Sequence, residues 1–126
     1  MPTQLLRWTA KTDGRVLAQT VRVADSYWKR LVGLQFAKSM PLGEVLWLKK
    51  VRSIHTACMR FPIDVIFLDE SLTILQVQSN VRPWRIASPT EKATRHVLER
   101  RYDPENIELV IGEDTVIDVC ADSTRS

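Results

Sequence analysis

The residue that most invites chemistry is Asp64, which interrupts the apolar run IDVIFL at residues 63–68. Side chains alternate between faces along a strand, so Asp64 shares a face with the apolar residues two and four positions further on. An ionised carboxylate there is costly unless it is paired, and Arg60, His55 or a row of backbone amides could satisfy it. Buried, partnered carboxylates are sometimes catalytic. More often they are clamps that accept amide hydrogens, and we favour the clamp.

His55 and Cys58 invite comparison with a nucleophilic Cys–His pair. In a regular strand, positions three apart point to opposite faces, so these two side chains should diverge. We therefore interpret Cys58 as a core thiol, and His55 as a packed, hydrogen-bonded side chain rather than a ligand or an acid–base group. The chain has two histidines, so ligand count and spacing exclude a zinc-finger site. No metal site is predicted.

The run Arg82-Pro83-Trp84-Arg85 places guanidinium groups on both sides of an indole ring. Such an arrangement could stack a planar or anionic ligand. We favour a simpler interpretation, in which one buried ring pins a surface loop. The candidate binding cleft drawn from these motifs comprises His55, Arg60, Asp64, Trp84 and Arg85.

Motifs that would assign a reaction are absent from the sequence, which has no glycine-rich phosphate loop, serine nucleophile elbow or His-x-x-x-His pair. We therefore assign no catalytic residue and expect no cofactor. The function favoured is a β-rich binding or accessory domain for a small-molecule or anionic ligand. The alternative is a hydrolase-like enzyme that uses Asp64 or His55 as an acid–base group.

Charge is distributed unevenly along the chain. The formal net charge is +3, but residues 1–101 hold 17 Lys and Arg against 8 acids, and residues 102–126 hold one Arg against 7 acids. A basic face left exposed by this asymmetry could attract phosphate or nucleic acid. We favour an ordinary solvated surface, which makes nucleic acid the weaker partner hypothesis.

The elements that must position these residues are mostly short strands. Asp13-Gly14 lies between two apolar-rich runs and indicates a hairpin, because glycine supplies the positive φ of a tight turn. The run at 63–68 lacks polar alternation and is typical of a strand covered on both faces. The predicted strands are residues 5–10, 16–23, 45–51, 54–59, 63–68, 72–78, 107–111 and 115–119, and a further strand could begin at Val97-Leu98.

Two short helices are predicted as well. Asp25 or Ser26 can cap the first, which should end near Gln35. The run Ser88-Pro89-Thr90-Glu91 is a capping box with proline at the first helical position. The fold class is therefore mainly β: a small β sandwich or barrel-like domain of short antiparallel strands with one or two short helices.

Length and cysteine usage set the remaining expectations. A chain of 126 residues is too short for two sizeable cores, so residues 1–126 should form one domain. The sequence shows neither a secretory signal nor an apolar run long enough to cross a bilayer, which predicts a cytoplasmic protein. Cys58 should then be a buried thiol that reacts only on unfolding, and Cys120, near a fraying end, should react readily.

The run SIHTACMRFPIDVIFLD, preceded by RLVGL and followed by RPWR and HVLE, resembles the family called domain of unknown function 192. The likeness extends from about residue 16 to residue 119, in the branch with Ser-Ile-His-Thr and Met-Arg-Phe-Pro. It implies a small, mainly β domain with no established activity. The stretch Leu98-Glu99-Arg100-Arg101-Tyr102-Asp103 replaces the usual Leu-Glu-Leu-x-Ala-Gly of the family. The positions that match the family pattern are Arg30, Gly33, Leu34, Pro62, Asp64, Phe67, Leu98 and Glu99.

Overall fold

The computed structural model describes residues 6–24, 40–49, 54–55 and 60–119. All regular elements in these ranges are strands, which confirms a mainly β fold. They are β1 (Leu6–Ala10), β2 (Val16–Ala24), β3 (Glu44–Lys49), β4 (Ile54–His55), β5 (Ile63–Leu68), β6 (Ile74–Val81), β7 (Ile86–Ala87), β8 (His96–Arg101) and β9 (Thr115–Val119).

Seven strands form one sheet in the order β6-β5-β8-β3-β2-β1-β9, and β4 pairs with β7 in a separate two-stranded sheet. The β2–β3 pair is parallel, with Val21 opposite Val45, whereas the other pairs are antiparallel. The expectation of antiparallel strands alone was therefore wrong at β2–β3. The predicted first hairpin is confirmed, since β1 and β2 pair around Gly14, whose φ is 71°.

The two edges of the large sheet meet at one point, which gives the sheet a barrel-like form. An isolated bridge joins Thr73, just before β6, to Asp114, just before β9. The Ile74 amide donates to the Glu113 carbonyl at 3.0 Å, and the Gly112 amide donates to the Ile74 carbonyl at 2.7 Å. We call these contacts between residues 72–74 and 112–115 the latch.

Two apolar cores lie on opposite faces of the sheet. The first core includes Trp8, Ile66 and Leu98, and the second includes Val65 and Val97. Adjacent residues of β5 and of β8 thus enter different cores, as the pleat requires. All six residues of β5 are buried, which confirms the prediction that this strand is covered on both faces.

The predicted helix at Ser88 does not form. Thr90 instead donates its amide to Gln76 Oε1 at 2.9 Å, and a single turn closes where the Thr94 amide meets the Glu91 carbonyl. The Arg95 amide then donates to the Leu68 carbonyl at 2.8 Å, and β8 begins at the next residue. Tertiary hydrogen bonds therefore override the local capping signal. The predicted helix beginning at residues 25–26 lies outside the described residues.

The predicted strand at residues 107–111 was also wrong. Ile107 and Leu109 pack against the first core, which produces the alternation that indicated a strand. The backbone forms no ladder within the described part of the chain, and it leads instead to the latch, where Gly112 bonds to Ile74. The final strand, β9, pairs with β1 and not with this segment.

Candidate functional site

Asp64 lies on β5 and is 2% exposed. Its neighbours two and four positions on, Ile66 and Leu68, belong to the first core, so the predicted face is confirmed. The Oδ1 atom accepts hydrogen bonds from Ser79 Oγ at 2.8 Å and from the Asn80 amide at 3.0 Å. This arrangement is the clamp favoured from the sequence.

A β-bulge explains how one carboxylate oxygen collects two donors. Ile63 pairs with Val81 but Val65 pairs with Gln78, so β6 carries one extra residue opposite Asp64. Asn80 adopts a left-handed φ of 57°, which asparagine tolerates better than most residues. The bulge thereby directs the Asn80 amide toward Asp64 Oδ1.

Arg100 supplies the charge that neutralises Asp64. It stands directly opposite Asp64 in the β5–β8 register, and its Nε donates to Asp64 Oδ2 at 2.9 Å. The two side chains are 10% and 3% exposed, so the ion pair is largely desolvated. Among the described residues, the Nη1 and Nη2 groups of Arg100 donate no hydrogen bond. One edge of the guanidinium therefore holds Asp64, and the other edge remains available.

Two cavities flank Arg100 at this end of the barrel. The larger, about 310 Å³, is an open cavity beside Asp64 that is bordered by residues 102–109; we call it the Arg100 cavity. The smaller, about 200 Å³, lies between the start of β2, the turn before β3 and residues 105–107. Arg100, Asn106 and Ile107 line both. Asn106 Nδ2 donates to the Arg101 carbonyl at 2.7 Å and approaches Asp64 Oδ2 at 3.5 Å.

The charges around the Arg100 cavity are arranged by depth. Asp64 and Arg100 form the buried ion pair at its base. Asp103 and Glu108 line the same cavity from the segment 102–109, where Asp103 is half-buried and Glu108 is exposed. The cavity is therefore lined by a buried ion pair and by carboxylates nearer to solvent. A ligand that carries both an acceptor and a donor group matches this arrangement.

The cation that pairs with Asp64 is Arg100 rather than Arg60, which is exposed in the segment before β5. Sequence reasoning missed Arg100 because it assigned no role to the end of β8. The available signal was strand parity, since Arg100 lies two residues beyond core residue Leu98. Ser79, Asn80 and Asn106 had no comparable signal, because a bulge and a loop bring them to Asp64.

The loop between β6 and β7 does not follow the favoured interpretation. Trp84 is 67% exposed, so a buried ring does not pin this loop. Arg85 is exposed, and its Nη1 donates to the Trp84 carbonyl at 3.3 Å. The backbone of His55, on β4, pairs with Ile86 of β7. Cys58 and Cys120 both lie outside the described residues, so their relative reactivity stays a prediction.

A second polar cluster lies at the opposite end of β8. Trp47 Nε1 donates to His96 Nδ1 at 3.3 Å, and the two rings meet edge to face with centroids 5.6 Å apart. Lys49 Nζ lies 4.5 Å from the centre of the Trp47 ring. Because Nδ1 of His96 accepts this hydrogen bond, the neutral imidazole carries its proton on Nε2. The cluster closes this end of the first core.

The described ranges contain no group of three or more His, Cys, Asp or Glu side chains that could hold a metal ion. The same ranges contain no helix of the length and apolarity that crossing a bilayer requires.

Comparison with known proteins places this chain in a family. The chain is 38% identical over 84 residues to a UPF0127 protein of Pyrococcus horikoshii. The aligned region spans 63% of this chain and 70% of that protein. It is 30% identical over 105 residues to a UPF0127 protein of Pyrococcus furiosus, covering 81% and 90% of the two chains. A solved structure from Sinorhizobium meliloti, 17% identical, superposes with a TM-score of 0.73 over 92% of this chain and 97% of that chain.

The family likeness expected from the central motif is thus confirmed over most of the chain. Residues 8–112 match the model of the DUF192 family, described as "Uncharacterized ACR". No reaction follows from that membership. The chain belongs to the DUF192 family of uncharacterised proteins.

Proposed function

We propose that the protein is a binding domain for a small ligand that carries a carboxylate, which Arg100 holds in the Arg100 cavity. The observation that supports this proposal is the fixed position of the Arg100 guanidinium. Asp64 fixes it through Nε at 2.9 Å, and the side chain is 10% exposed. A fork of N–H donors fixed in this way is suited to a planar carboxylate, and little further ordering of the side chain is needed on binding.

The remaining charges narrow the ligand class. Asp103 and Glu108 line the outer part of the same cavity, where a purely anionic ligand would meet their repulsion. A zwitterion avoids this cost by placing its carboxylate on Arg100 and its ammonium group near the two carboxylates. A cavity of about 310 Å³ lies at the lower end of the range for small-molecule sites. We therefore propose an α-amino acid or a compound of similar size and charge.

The hydrolase alternative has weaker support. A general base needs an oxygen that can reach a substrate proton, yet Asp64 is 2% exposed and both of its oxygens already accept hydrogen bonds. Turnover in an esterase, phosphatase and glycosidase panel, abolished by both Asp64→Asn and His55→Ala, would favour the enzyme.

Amide NMR spectra recorded during titration test the binding proposal. The probes are L-alanine, acetate and methylammonium, which present both groups, the carboxylate alone and the amine alone. We expect L-alanine to move the amide signals of Asn80, Arg100 and Asn106, and acetate to move them less. Arg100→Lys should abolish both responses, because a lysine cannot pair with Asp64 and also offer a planar fork.

A second variant keeps the proposal testable if Arg100→Lys disturbs the fold. Asp103→Asn combined with Glu108→Gln leaves the Asp64–Arg100 pair intact and should weaken L-alanine binding, because the ammonium group loses its partners, while it strengthens acetate binding, because the repulsion on a lone carboxylate is removed. Glu70→Gln, an exposed change in the turn before β6, is the matched control and should change nothing. The proposal fails if neither L-alanine nor acetate moves these signals, or if methylammonium alone moves them.

A further inference from the structure

The smaller of the two cavities that flank Arg100 has no part in the proposed function. It has a volume of about 200 Å³ and lies between the start of β2, the turn before β3 and residues 105–107. Leu17 and Val45, which are buried, give it an apolar wall, and Leu42, which is 49% exposed, extends that wall to the surface. We call it the Leu42 cavity.

The two cavities meet at Arg100, which lines both. On one side Arg100 pairs with Asp64 of β5, which lines the Arg100 cavity. On the other side Leu46 pairs with Glu99, so the next residue of β8, Arg100, lies beside Val45 and the Leu42 cavity. The Arg100 side chain is 10% exposed, and its Nη groups donate no hydrogen bond among the described residues. A carboxylate held there borders both cavities, so a carbon attached to it can direct one substituent into each.

The turn that forms one wall of the Leu42 cavity is fixed by β2. The Gly43 carbonyl accepts the amides of Gln19 at 2.8 Å and Thr20 at 3.2 Å. Gly43 has a φ of 82°, which glycine adopts without a steric penalty. The cavity is therefore formed before a ligand enters, and binding needs little further ordering of its wall.

The Leu42 cavity is large enough for an unbranched side chain. One water molecule occupies about 30 Å³ of the liquid, and a methylene group is of similar size. A volume of about 200 Å³ therefore admits a chain of about five heavy atoms. The apolar wall favours an aliphatic stem, because both surfaces leave water on contact.

Two of the charges at the cavities are already neutralised. Arg100 holds Asp64, and Glu44, which lines the Leu42 cavity, lies 2.8 Å from Arg22 Nε. Among the described residues, Arg100 is the only lysine or arginine that lines either cavity. The sign of the local charge therefore depends on the remaining groups.

Those remaining groups are three carboxylates on the segment 102–109. Asp103 and Glu108 line the Arg100 cavity, and Glu105 lines the Leu42 cavity. No cation of the described residues forms an ion pair with any of them. An amino acid with a neutral side chain brings one ammonium group to three carboxylates. A second cationic group, at the end of the side chain, meets the carboxylate that the first leaves uncompensated.

We propose that the ligand is an α-amino acid with an unbranched cationic side chain, of which lysine is the example. This inference rests on the proposed function, because it takes the carboxylate on Arg100 as given. The α-ammonium group then lies near Asp103 and Glu108, the aliphatic stem lies in the Leu42 cavity, and the terminal cation lies beside Glu105. A dicarboxylic amino acid would bring its second carboxylate to Glu105 and meet repulsion.

The test compares L-alanine, L-norleucine, L-lysine and L-glutamate as ligands of the full chain, by titration followed in amide NMR spectra. Norleucine adds an aliphatic stem to alanine, and lysine adds a stem that ends in a cation. Norleucine should bind about 5- to 50-fold more tightly than alanine, because apolar surface leaves water. Lysine should gain a further factor of about 2 to 5, the value of a partly exposed ion pair. Glutamate should bind more weakly than norleucine.

Two variants separate the contribution of the stem from that of the cation. Leu42→Ala should weaken norleucine and lysine binding and spare alanine, whereas Val110→Ala, an exposed apolar change outside both cavities, should alter none of them. Glu105→Gln keeps the backbone amide that donates to Asp103 Oδ1 at 2.8 Å and should remove the advantage of lysine over norleucine. Glu70→Gln is its matched control and should leave that advantage unchanged.

Pentane-1,5-diamine distinguishes failure of this inference from failure of the proposed function. It keeps both cationic groups of lysine and lacks the carboxylate, so it should bind more weakly than lysine. If it binds as tightly, or if no amino acid moves the Arg100 amide signal, the proposed function fails and this inference fails with it. If alanine moves that signal but lysine binds no tighter than alanine or norleucine, or glutamate matches lysine, only the present inference is overturned.

Discussion

Removing the Asp64 carboxylate should destabilise the protein more than any ordinary polar substitution. In Asp64→Ala, the Arg100 guanidinium keeps its charge at 10% exposure and loses its only ion-pair partner among the described residues. Breaking a buried pair from one side costs about 3–5 kcal/mol. Ser79 Oγ and the Asn80 amide also lose their acceptor. We expect the free energy of unfolding to fall by about 3–5 kcal/mol, measured by urea denaturation.

Asp69→Ala is the matched control for this measurement. Asp69 also accepts two backbone amides through one oxygen, from Ser71 and Thr73 at 2.9 Å each, but no buried cation pairs with it among the described residues. Its loss should cost about 1 kcal/mol, because the exposed Ser71 amide regains water and no buried charge is left without a partner. The difference between the two variants therefore isolates the effect of the buried charge.

The double variant Asp64→Ala/Arg100→Leu tests the reasoning from the other side. Without either charge no buried ion remains, so the double variant should be more stable than the sum of the single losses implies, with a coupling of about 2 kcal/mol. The reasoning is refuted if Asp64→Ala costs no more than Asp69→Ala, or if the two changes at 64 and 100 are additive.

Three further predictions concern other parts of the fold. Trp84 has a φ of 66°, and Trp84→Gly should be about 1 kcal/mol more stable than Trp84→Ala in urea denaturation, because alanine keeps the Cβ that left-handed backbone disfavours; equal stabilities would show that no strain is present. Thr115→Val should cost about 1–2 kcal/mol by the same measurement, because the buried hydroxyl donates to the Leu72 carbonyl in the latch; no change would mean that this bond is dispensable. The Arg15 backbone amide, followed by the Arg15 charge, lowers the pKa of Asp13 below its ordinary 3.8. The stabilisation from Asp13 should therefore be complete above that pH and be lost as the pH falls through the lowered pKa, which a carboxyl NMR titration checks; an ordinary or raised pKa would contradict it.

The sequence predicted features that depend on local pattern. The six-residue run of β5 identified a strand buried on both faces, and its alternation placed Asp64 on the correct side. Asp13-Gly14 identified a turn, because the positive φ of glycine is a local property. These inferences need no knowledge of distant residues.

The candidate site depends on contacts between residues that are far apart in the sequence, and a local sequence pattern does not encode such contacts. Arg100 lies 36 positions from Asp64, and only the order β5-β8-β3 makes them neighbours. The partners that the sequence suggested, Arg60, His55 or a row of backbone amides, did not include Arg100. Ser88 fails as a helix cap for the same reason, since the tertiary partner Gln76 takes the amide of Thr90. The exposure of Trp84 contradicts an average preference of tryptophan for burial, which says little about one loop.

The latch has a consequence for the order in which the molecule assembles. The β5–β6 hairpin joins residues close in sequence, whereas the ladder that seats β9 on β1 pairs Leu6 with Val119. Loop closure over such a separation is slow, because the chain loses conformational entropy before the stabilising contacts between the two strands have formed. β9 is also the last described strand to leave the ribosome. The emerging chain therefore carries an open sheet with two unpaired edges until β9 has left the ribosome and can pair with β1.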